Sequence, residues 1–592
     1  MRDKLLEHYP TRVTCCLHHR FVAFLINKIN SLNGYFTIIG IIDEKHYFFL
    51  KMDIVSSFRT YLDSILSGID GMKILIFDEE TSEIISLVYT QTELLRHDVI
   101  LVDSLTKLGK KKIDEALISI QSIFILRPDE DNIRKLCSEL NTPHYGNYYL
   151  FFTNSIGSKN IQNLAYSDHS SKVVAVHEIF FDVYALNKRL FSLNIPSFYR
   201  NLSPTNDSRV QRVIDGLFSV ICSLKVNVQI RYDSSSSICR RIAEVLTEHI
   251  RSYSKPFHTS ETAVLLLIDR RSDSLTPLLH WWDYQSMIHE NLDFKNNIAK
   301  IDSKNQVVVD ERTDPFFAKH LYSFISDLSA AINQLVTSVN QQPNPKDITD
   351  IESLKSYIQN YPMLQERRQI TDKHTQLSSA CTKSIKEEGL TKVSVLEQSI
   401  ASEDDPNSQF QALMEILNAP TTSDQIALRL SLIFCLRYEE NIEKVSEIFR
   451  HISSRKDGEK LNQVIEKFLS FCGKSYKKSG LFGVHKAVNA VKSMFSGFLN
   501  KGDDSQAFMQ YHPLLESVLD KLRAGKLENG LYPAFPDSQL VIPQKTIVFF
   551  VGGITYTEGK IVYEASSNGM DVIIGGTTVH NMNSFVMSEI PN

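Results

Sequence analysis

The sequence predicts an α/β protein that carries a large, mainly helical insertion. Three observations lead to this fold class. Short apolar runs alternate with helix-like segments in the first third of the chain, which is typical of βαβ units and a parallel sheet. Runs of the same kind return at 264–268 and again near the C-terminus. Between them, roughly over 315–470, apolar residues recur at helical spacing instead.

Residues 1–51 do not fit this pattern. They contain Cys15-Cys16 and an apolar stretch at 35–42 that ends at Asp43-Glu44. A secretory signal needs a basic start, an unbroken apolar core and a small-residue cleavage site, and the order here is different. We therefore interpret 1–51 as an atypical N-terminal extension, appended or mis-assigned at the start of the chain.

The regular pattern begins at Met52. The stretch MDIVSSFRTYLDSIL has apolar residues at helical spacing and predicts a helix. A strand at 73–77 follows. Further strands are predicted at 99–102, 123–126 and 149–152, and helix-like segments such as 114–122 and 129–140 separate them.

The two late apolar runs, 547–551 and 572–574, are too few to build a doubly wound domain of their own. We expect them to complete the sheet that begins before residue 270, which makes that domain discontinuous in sequence. The helical insertion then fills the gap, with predicted segments at 316–339, 348–358, 363–377, 410–417, 426–436 and 461–471.

Composition excludes several classes of protein. The 592 residues are 43% hydrophobic and 22% charged, which is ordinary for a globular protein. A net charge of −5 argues against bulk nucleic-acid binding. The eight cysteines form no CxxC pair, so neither a zinc ribbon nor a disulfide framework is indicated. No apolar run of about 18 residues exists, so a transmembrane helix is not expected.

The most distinctive stretch is VLLLIDRRSDSLTPLLHWWDYQSMIHE, at 264–290. A buried strand ends in the charge cluster Asp269 to Asp273, and open α/β sheets place ligands at such strand ends. Adjacent arginines, however, neutralise the carboxylates and lower their pKa, which spoils a general base. We favour a structural ion-pair network here, with the following aromatic residues anchoring the first helix of the insertion. The alternative is a hydrolase or nucleotide-binding protein that uses Asp269, Asp273 and the Gly575-Gly576 loop.

Other catalytic motifs are incomplete. Gly473-Lys474-Ser475 resembles the end of a P-loop, but Phe468 occupies the position that needs glycine. No GxSxG elbow and no zinc-binding histidine pair is present. A long chain without a coherent catalytic set favours a binding protein, and no cofactor or metal is predicted.

The stretch 473–502 has six lysines and no acidic residue. It suits a basic amphipathic helix on an anionic membrane. The alternative, which we favour, is a helix whose apolar face packs on the helical insertion while its lysines are solvated.

The 264–290 stretch resembles the hallmark segment of the SM family, the syntaxin-binding regulators of vesicle fusion. Four other regions resemble the same family in the same order. Their sequences are most similar to those of the vacuolar-protein-sorting branch, which acts at the trans-Golgi network and endosomes. The resemblance spans about 52–585 and rests on SLVYTQTELLRHDVILVDSL, LNTPHYGNYYLFFTNSI, VSVLEQSIA, and the tail pair VGGITYTEG and DVIIGGTTVHNMNSF.

The resemblance implies a three-domain arch. Domain 1 is expected at 52–180. Domain 2 combines 181–285 with 528–592, and the helical domain 3 fills 286–527. Proteins of this family are not enzymes. The resemblance implies a cytoplasmic protein, peripherally associated with trans-Golgi and endosomal membranes. It would bind a syntaxin-family Qa-SNARE and the assembled SNARE complex, with Rab effectors as further candidates and no nucleic acid.

Two site predictions follow from the resemblance. A pocket for the SNARE N-terminal peptide falls on Ile161, Leu164, Val173, Val176 and Glu178. The alternative is that Ile161 and Leu164 simply fill the core of domain 1. Pro362 matches the hinge proline of the family's helical hairpin, where it would kink a helix that contacts SNAREs. The alternative for Pro362 is a plain helix boundary.

Overall fold

The structure of this protein is a computed structural model that describes residues 51–108, 120–200, 202, 207–253, 261–341, 351–478, 480–482, 508–538 and 543–591. The chain forms two units. The first contains Met1–Lys188, Gln211–Val228 and Glu244–Ala263. The second contains Arg189–Val210, Gln229–Ala243 and Val264–Asn592.

The first unit is built on a five-stranded parallel sheet of order β2-β1-β3-β4-β5. The four predicted strands are confirmed, and β5, a half-exposed VVAVHE run, was not predicted. The strands are β1 (Lys73–Phe77), β2 (Val99–Ser104), β3 (Gln121–Leu126), β4 (Asn147–Phe152) and β5 (Val173–Glu178), with a short β6 (Tyr184–Ala185) after them.

Helices join these strands, as the alternating pattern predicts. The side chain of Asp53 accepts from the backbone N–H of Ser56, which fixes the start of the first helix just after Met52. Of the predicted helix 114–122, residues 114–119 lie outside the described part, and Gln121 and Ser122 belong to β3. The helices are α1 (Ile54–Ser67), α2 (Glu79–Val88), α3 (Gln91–Arg96), α4 (Glu130–Asn141) and α5 (Ser158–Ser167).

The second unit contains a mainly parallel sheet of order β13-β8-β9-β14-β15-β7. Strand β9 comes before the helical insertion and its neighbour β14 after it, so the predicted discontinuous sheet is confirmed. The strands are β7 (Leu190–Ser192), β8 (Asn227–Tyr232), β9 (Thr262–Asp269), β13 (Ala534–Phe535), β14 (Lys545–Val551) and β15 (Asp571–Gly576). A separate antiparallel sheet contains β10 (Asp293–Lys295), β11 (Ile298–Lys300) and β12 (Gln306–Val308).

The insertion is mainly helical where it is described, as predicted, and the small β10–β12 sheet near its start was not predicted. The predicted segments 348–358 and 363–377 are one helix, however, because Pro362 lies inside it instead of ending it. The helices from Ser208 on are α6 (Ser208–Leu224), α7 (Ser237–Ser252), α8 (Tyr284–Asn291), α9 (Pro315–His320), α10 (Ile325–Asn340), α11 (Ile351–Glu387), α12 (Leu390–Ser402), α13 (Pro406–Asn418), α14 (Asp424–Arg437), α15 (Ile442–Ser453), α16 (Gly458–Cys472), α17 (Leu514–Arg523), α18 (Tyr556–Ser567) and α19 (Met582–Ser584).

The tryptophans tie the start of the insertion to its neighbours. Trp281 donates its indole N–H to the carbonyl of Thr276 at 2.9 Å. Trp282 is buried and donates to the hydroxyl of Ser394 in α12 at 2.8 Å. The predicted anchoring role of these aromatic residues is confirmed.

Candidate functional site

The predicted peptide-pocket residues lie together at one edge of the first unit's sheet, on α5 and the edge strand β5. They differ in exposure. Leu164 is buried and belongs to the hydrophobic core around the sheet. For this residue, the structure agrees with the alternative interpretation that it fills the core of domain 1. Ile161 and Val173 are partly buried and pack against that core. Val176 is 37% exposed. Ile161, Val173 and Val176 therefore present apolar surface, while Leu164 supports it from below.

Glu178 at the end of β5 is occupied by two hydrogen bonds. Its carboxylate accepts from the backbone N–H of Ile156 at 2.8 Å and from the hydroxyl of Tyr253 at 3.3 Å. The first bond holds the loop that leads into α5. Sequence reasoning missed Tyr253, because nothing local to Glu178 indicates a partner 75 residues away.

A network of buried and partly buried charges lies near the carboxyl end of the same sheet. Arg127 contacts Glu80 at 3.1 Å and Asp182 at 3.6 Å, and Arg212 contacts Glu80 at 2.7 Å. Burial raises the pKa of Glu80, but the charges of Arg212 and Arg127 outweigh it, and the pKa lies below its ordinary value. Asn154, which follows β4, donates to Asp182 at 3.1 Å. The network fixes the turn that leads from β4 toward α5.

In the second unit, Asp269 at the end of β9 is buried and fully engaged. It accepts from the guanidinium of Arg271 at 2.7 and 3.0 Å and from the hydroxyl of Ser236 at 2.6 Å. Burial raises the pKa of Asp269, but the hydrogen bonds and charge of Arg271 outweigh it, so the pKa lies below its ordinary value. Arg271 in turn lies over the rings of Tyr199 and Tyr476, 4.7 and 4.2 Å from their centroids.

The rest of the charge cluster is also paired. Arg270 is fully buried and donates to both carboxylate oxygens of Glu558, at 2.8 and 2.9 Å. Asp273 accepts from the backbone N–H and the hydroxyl of Thr276, at 3.0 and 2.7 Å, and lies 3.6 Å from Arg270. The predicted ion-pair network is confirmed, with Glu558 as a member that the sequence did not indicate.

Gly575 and Gly576 also do not fit the alternative interpretation, a hydrolase or nucleotide-binding site. A Cβ at Gly575 would lie 2.2 Å from the ring of Phe191, so this glycine allows close packing. Gly576 is held close to Ile554 in the same way. Neither glycine faces open space in which a phosphate could bind, and both carboxylates of the cluster are buried. The hydrolase or nucleotide-binding interpretation is not favoured.

The structure places Pro362 inside α11, so the alternative of a plain helix boundary is wrong. Proline has no N–H, so it cannot donate to the carbonyl of Ile358 one turn earlier. Residues 358–363 are all exposed, and Ile358, Tyr361 and Met363 are 63%, 45% and 47% exposed. Three large apolar side chains that are exposed within six residues of one helix can contribute to a surface that binds a partner.

Much of the basic stretch 473–502 lies outside the described residues. Its first lysines are described and paired. Lys474 contacts Glu440 at 2.6 Å, Lys477 contacts Glu439 at 2.9 Å, and Lys478 contacts Asp233 at 2.7 Å. These three cations are held by protein carboxylates.

Comparison with known proteins identifies the family. The sequence matches the Sec1 family over residues 73–588. The chain belongs to the Sec1 family. The family match confirms the resemblance to SM proteins that five sequence segments indicate.

Individual members of the Sec1 family match almost the whole chain. Vacuolar protein sorting-associated protein 45 of Dictyostelium discoideum is 34% identical over 550 residues, covering 90% of this chain and 96% of that protein. The Homo sapiens protein of the same name is 32% identical over 556 residues, covering 90% and 95%. A solved structure of the SM protein Vps45 in complex with the Qa SNARE Tlg2 (1-310) has a TM-score of 0.80 and 29% identity, covering 91% of this chain and 97% of that one.

Two kinds of feature are absent from the residues that the structure describes. They contain no group of three or more His, Cys, Asp or Glu placed to hold a metal ion. None of the described helices is long and apolar enough to cross a membrane.

Proposed function

We propose that this Sec1-family protein binds a syntaxin-family Qa-SNARE and chaperones or templates SNARE complex assembly in vesicle docking and fusion. The observation that carries the proposal is the similarity, over 91% of the chain, to Vps45 in complex with the Qa SNARE Tlg2. The names of the similar proteins support a role in vacuolar protein sorting. We extend the proposal to trans-Golgi, endosomal and lysosomal protein sorting on family membership. The role is that of a binding protein and not of an enzyme.

The proposed peptide pocket comprises Ile161, Leu164, Val173, Val176 and Glu178. Its support is the partly exposed apolar surface on α5 and β5, since short peptides gain most of their affinity from a few buried side chains. Leu164 contributes from the core, and Glu178 contributes by holding the loop before α5. Ile161 is the residue to test, because it can be changed without removing a core side chain.

The test is Ile161→Arg in the full chain, with binding of a Qa-SNARE N-terminal peptide measured by calorimetry. An arginine replaces apolar contact with a charge that needs solvation, so we expect a loss of about 2 kcal/mol or more, which is roughly 30-fold in affinity. The control is Gln162→Arg, which adds the same charge at the exposed neighbouring position. Unchanged affinity for a folded Ile161→Arg protein would remove the pocket from the proposal.

A second proposed contact is the exposed segment 358–363 of α11, with Pro362 as hinge. Its support is the set of exposed apolar side chains together with the carbonyl of Ile358 that proline leaves without its helical donor. A helix weakened at one point can bend there when a partner helix binds. This contact would serve SNARE helices, whereas the α5 and β5 pocket would serve the N-terminal peptide.

The remaining partners are proposed from family membership. They are the assembled SNARE complex and, as a further candidate, Rab effectors. We propose peripheral association with the cytoplasmic face of trans-Golgi and endosomal membranes. The bound SNARE, which is itself a membrane component, would supply this association.

A further inference from the structure

The edge strand β2 has an unusual surface for a strand at the margin of a sheet. Ile100, Leu101 and Val102 are consecutive, and they are 48%, 38% and 43% exposed. Leu95 and Met72, each 58% exposed, extend the apolar surface at the start of the strand, where the N–H of Lys73 donates to the carbonyl of Asp98. Edge strands are normally protected by charges, proline or a covering segment. Three exposed apolar residues in a row are a sign of a surface that something covers.

The outer side of β2 also offers backbone hydrogen-bonding groups. Strand order places β2 at the margin next to β1. In the described part of the chain, no further strand pairs with its other side. A segment in extended conformation can add there as a sixth strand, which satisfies the backbone groups and buries the apolar side chains together.

We propose that residues 35–42 of this same chain dock along the free edge of β2. These residues read YFTIIGII, and lie outside the described residues. Four isoleucines, a threonine and two aromatic residues make this run rich in the residue types that favour strands. The proposal gives a role to the N-terminal extension, and it does not depend on the proposed SNARE function.

Chain geometry allows this docking. Lys51 immediately precedes α1, and α1 leads back to the start of β1 at Lys73, so Lys51 lies toward the carboxyl end of the sheet. Strand β2 runs parallel to β1 and is its direct neighbour, about 5 Å away. The nine residues from Asp43 to Lys51 can span up to about 30 Å. The linker is therefore long enough to bring 35–42 to β2 in either direction.

Hydrogen exchange of the full chain tests the proposal. The variant Ile38→Asp/Ile39→Asp places a carboxylate on each face of the proposed strand. We expect the backbone amides of 100–102 to exchange about tenfold faster, or more, than in the wild type. The matched control is Leu25→Asp/Ile26→Asp, which adds the same charges to the same extension outside 35–42 and should exchange like the wild type. Amides of β5, at the opposite edge of the sheet, should not change in either variant.

A covalent measurement completes the test. With Cys15 and Cys16 changed to serine, the pair Ile39→Cys and Leu101→Cys should form an intrachain disulfide, and the pair Leu25→Cys and Leu101→Cys should not. Equal exchange at 100–102 in the wild type and the Ile38→Asp/Ile39→Asp variant would overturn the proposal. So would protection that depends on protein concentration, because a second copy of the chain would then be the covering strand.

Discussion

The buried pair of Arg270 and Glu558 makes a sharp prediction about stability. Both side chains are fully buried, and one guanidinium nitrogen of Arg270 donates to both oxygens of the Glu558 carboxylate. The guanidinium also lies 4.3 Å from the ring centroid of Phe550. Burial lowers the pKa of Arg270, but the charges of Glu558 and Asp273 outweigh it and raise the pKa. The change Arg270→Met keeps the length and apolar contacts of the side chain and removes its charge.

The expected loss in the free energy of unfolding follows from the Glu558 carboxylate that Arg270→Met leaves unpaired. Glu558 keeps the hydrogen bonds from the N–H and hydroxyl of Thr555, at 2.8 and 3.1 Å, and loses its only described cation. Removing one partner of a buried ion pair costs about 3–5 kcal/mol, since the other charge stays desolvated and unpaired. For a unit of this size, we expect the unfolding midpoint to fall by roughly 5 °C.

The control is the double variant Arg270→Met/Glu558→Gln. A glutamine oxygen can still accept from Thr555, so the cap of α18 is retained while the unpaired charge is removed. Thermal unfolding followed by circular dichroism should therefore show the double variant to be more stable than Arg270→Met alone. A loss below about 1 kcal/mol for the single variant, or a double variant that is less stable than the single one, would refute the reasoning.

Two further predictions concern His289 and Pro362. Burial lowers the pKa of His289 to about 4, against about 6.5 in an unfolded chain, so the unfolded state binds the extra proton between these values. The variant His289→Phe keeps an aromatic ring against Tyr556 but cannot bind the proton. The free energy of unfolding should therefore fall between pH 6.5 and pH 4 by roughly 3 kcal/mol more in the wild type than in this variant. Urea unfolding at several pH values measures this, and an equal fall in both proteins would contradict the prediction. The change Pro362→Ala restores the missing backbone N–H donor and should stabilise α11 by up to about 3 kcal/mol. Slower hydrogen exchange of the backbone amides at 358–366 would measure this. If the variant assembled SNARE complexes at the same rate as the wild type, Pro362 would lose its proposed role as a hinge.

The fold was predictable to the extent that local patterns determine it. The runs 74–77 and 547–551 are uninterrupted and apolar, and each lies in a buried strand. The return of such runs after a helical stretch was enough to predict a discontinuous sheet. Strand β5 was not predicted, although 173–176 is a continuous apolar run, and it forms a half-exposed edge strand.

The sites were less predictable because their partners are distant in sequence. The cluster at 269–273 indicated ion pairing, but nothing near Arg270 indicates Glu558, which is 288 residues away. Pro362 suggested a helix boundary in the sequence, but in the structure α11 continues through this residue. Similarly, helical spacing places Ile161 and Leu164 on one side of α5, but only tertiary packing separates the core residue from the partly exposed one.

The position of β9 next to β14 has a consequence for synthesis on the ribosome. Strand β9 is complete at Asp269, but its neighbour begins at Lys545, so one side of a strand with seven buried residues waits for most of the chain. At about 5–20 residues per second, that interval is on the order of tens of seconds. During this time the LLLI run of β9 is an unprotected apolar edge, and Arg270 lacks Glu558. A nascent chain that stops before residue 545 retains that edge permanently, which makes truncated products targets for aggregation and for chaperones.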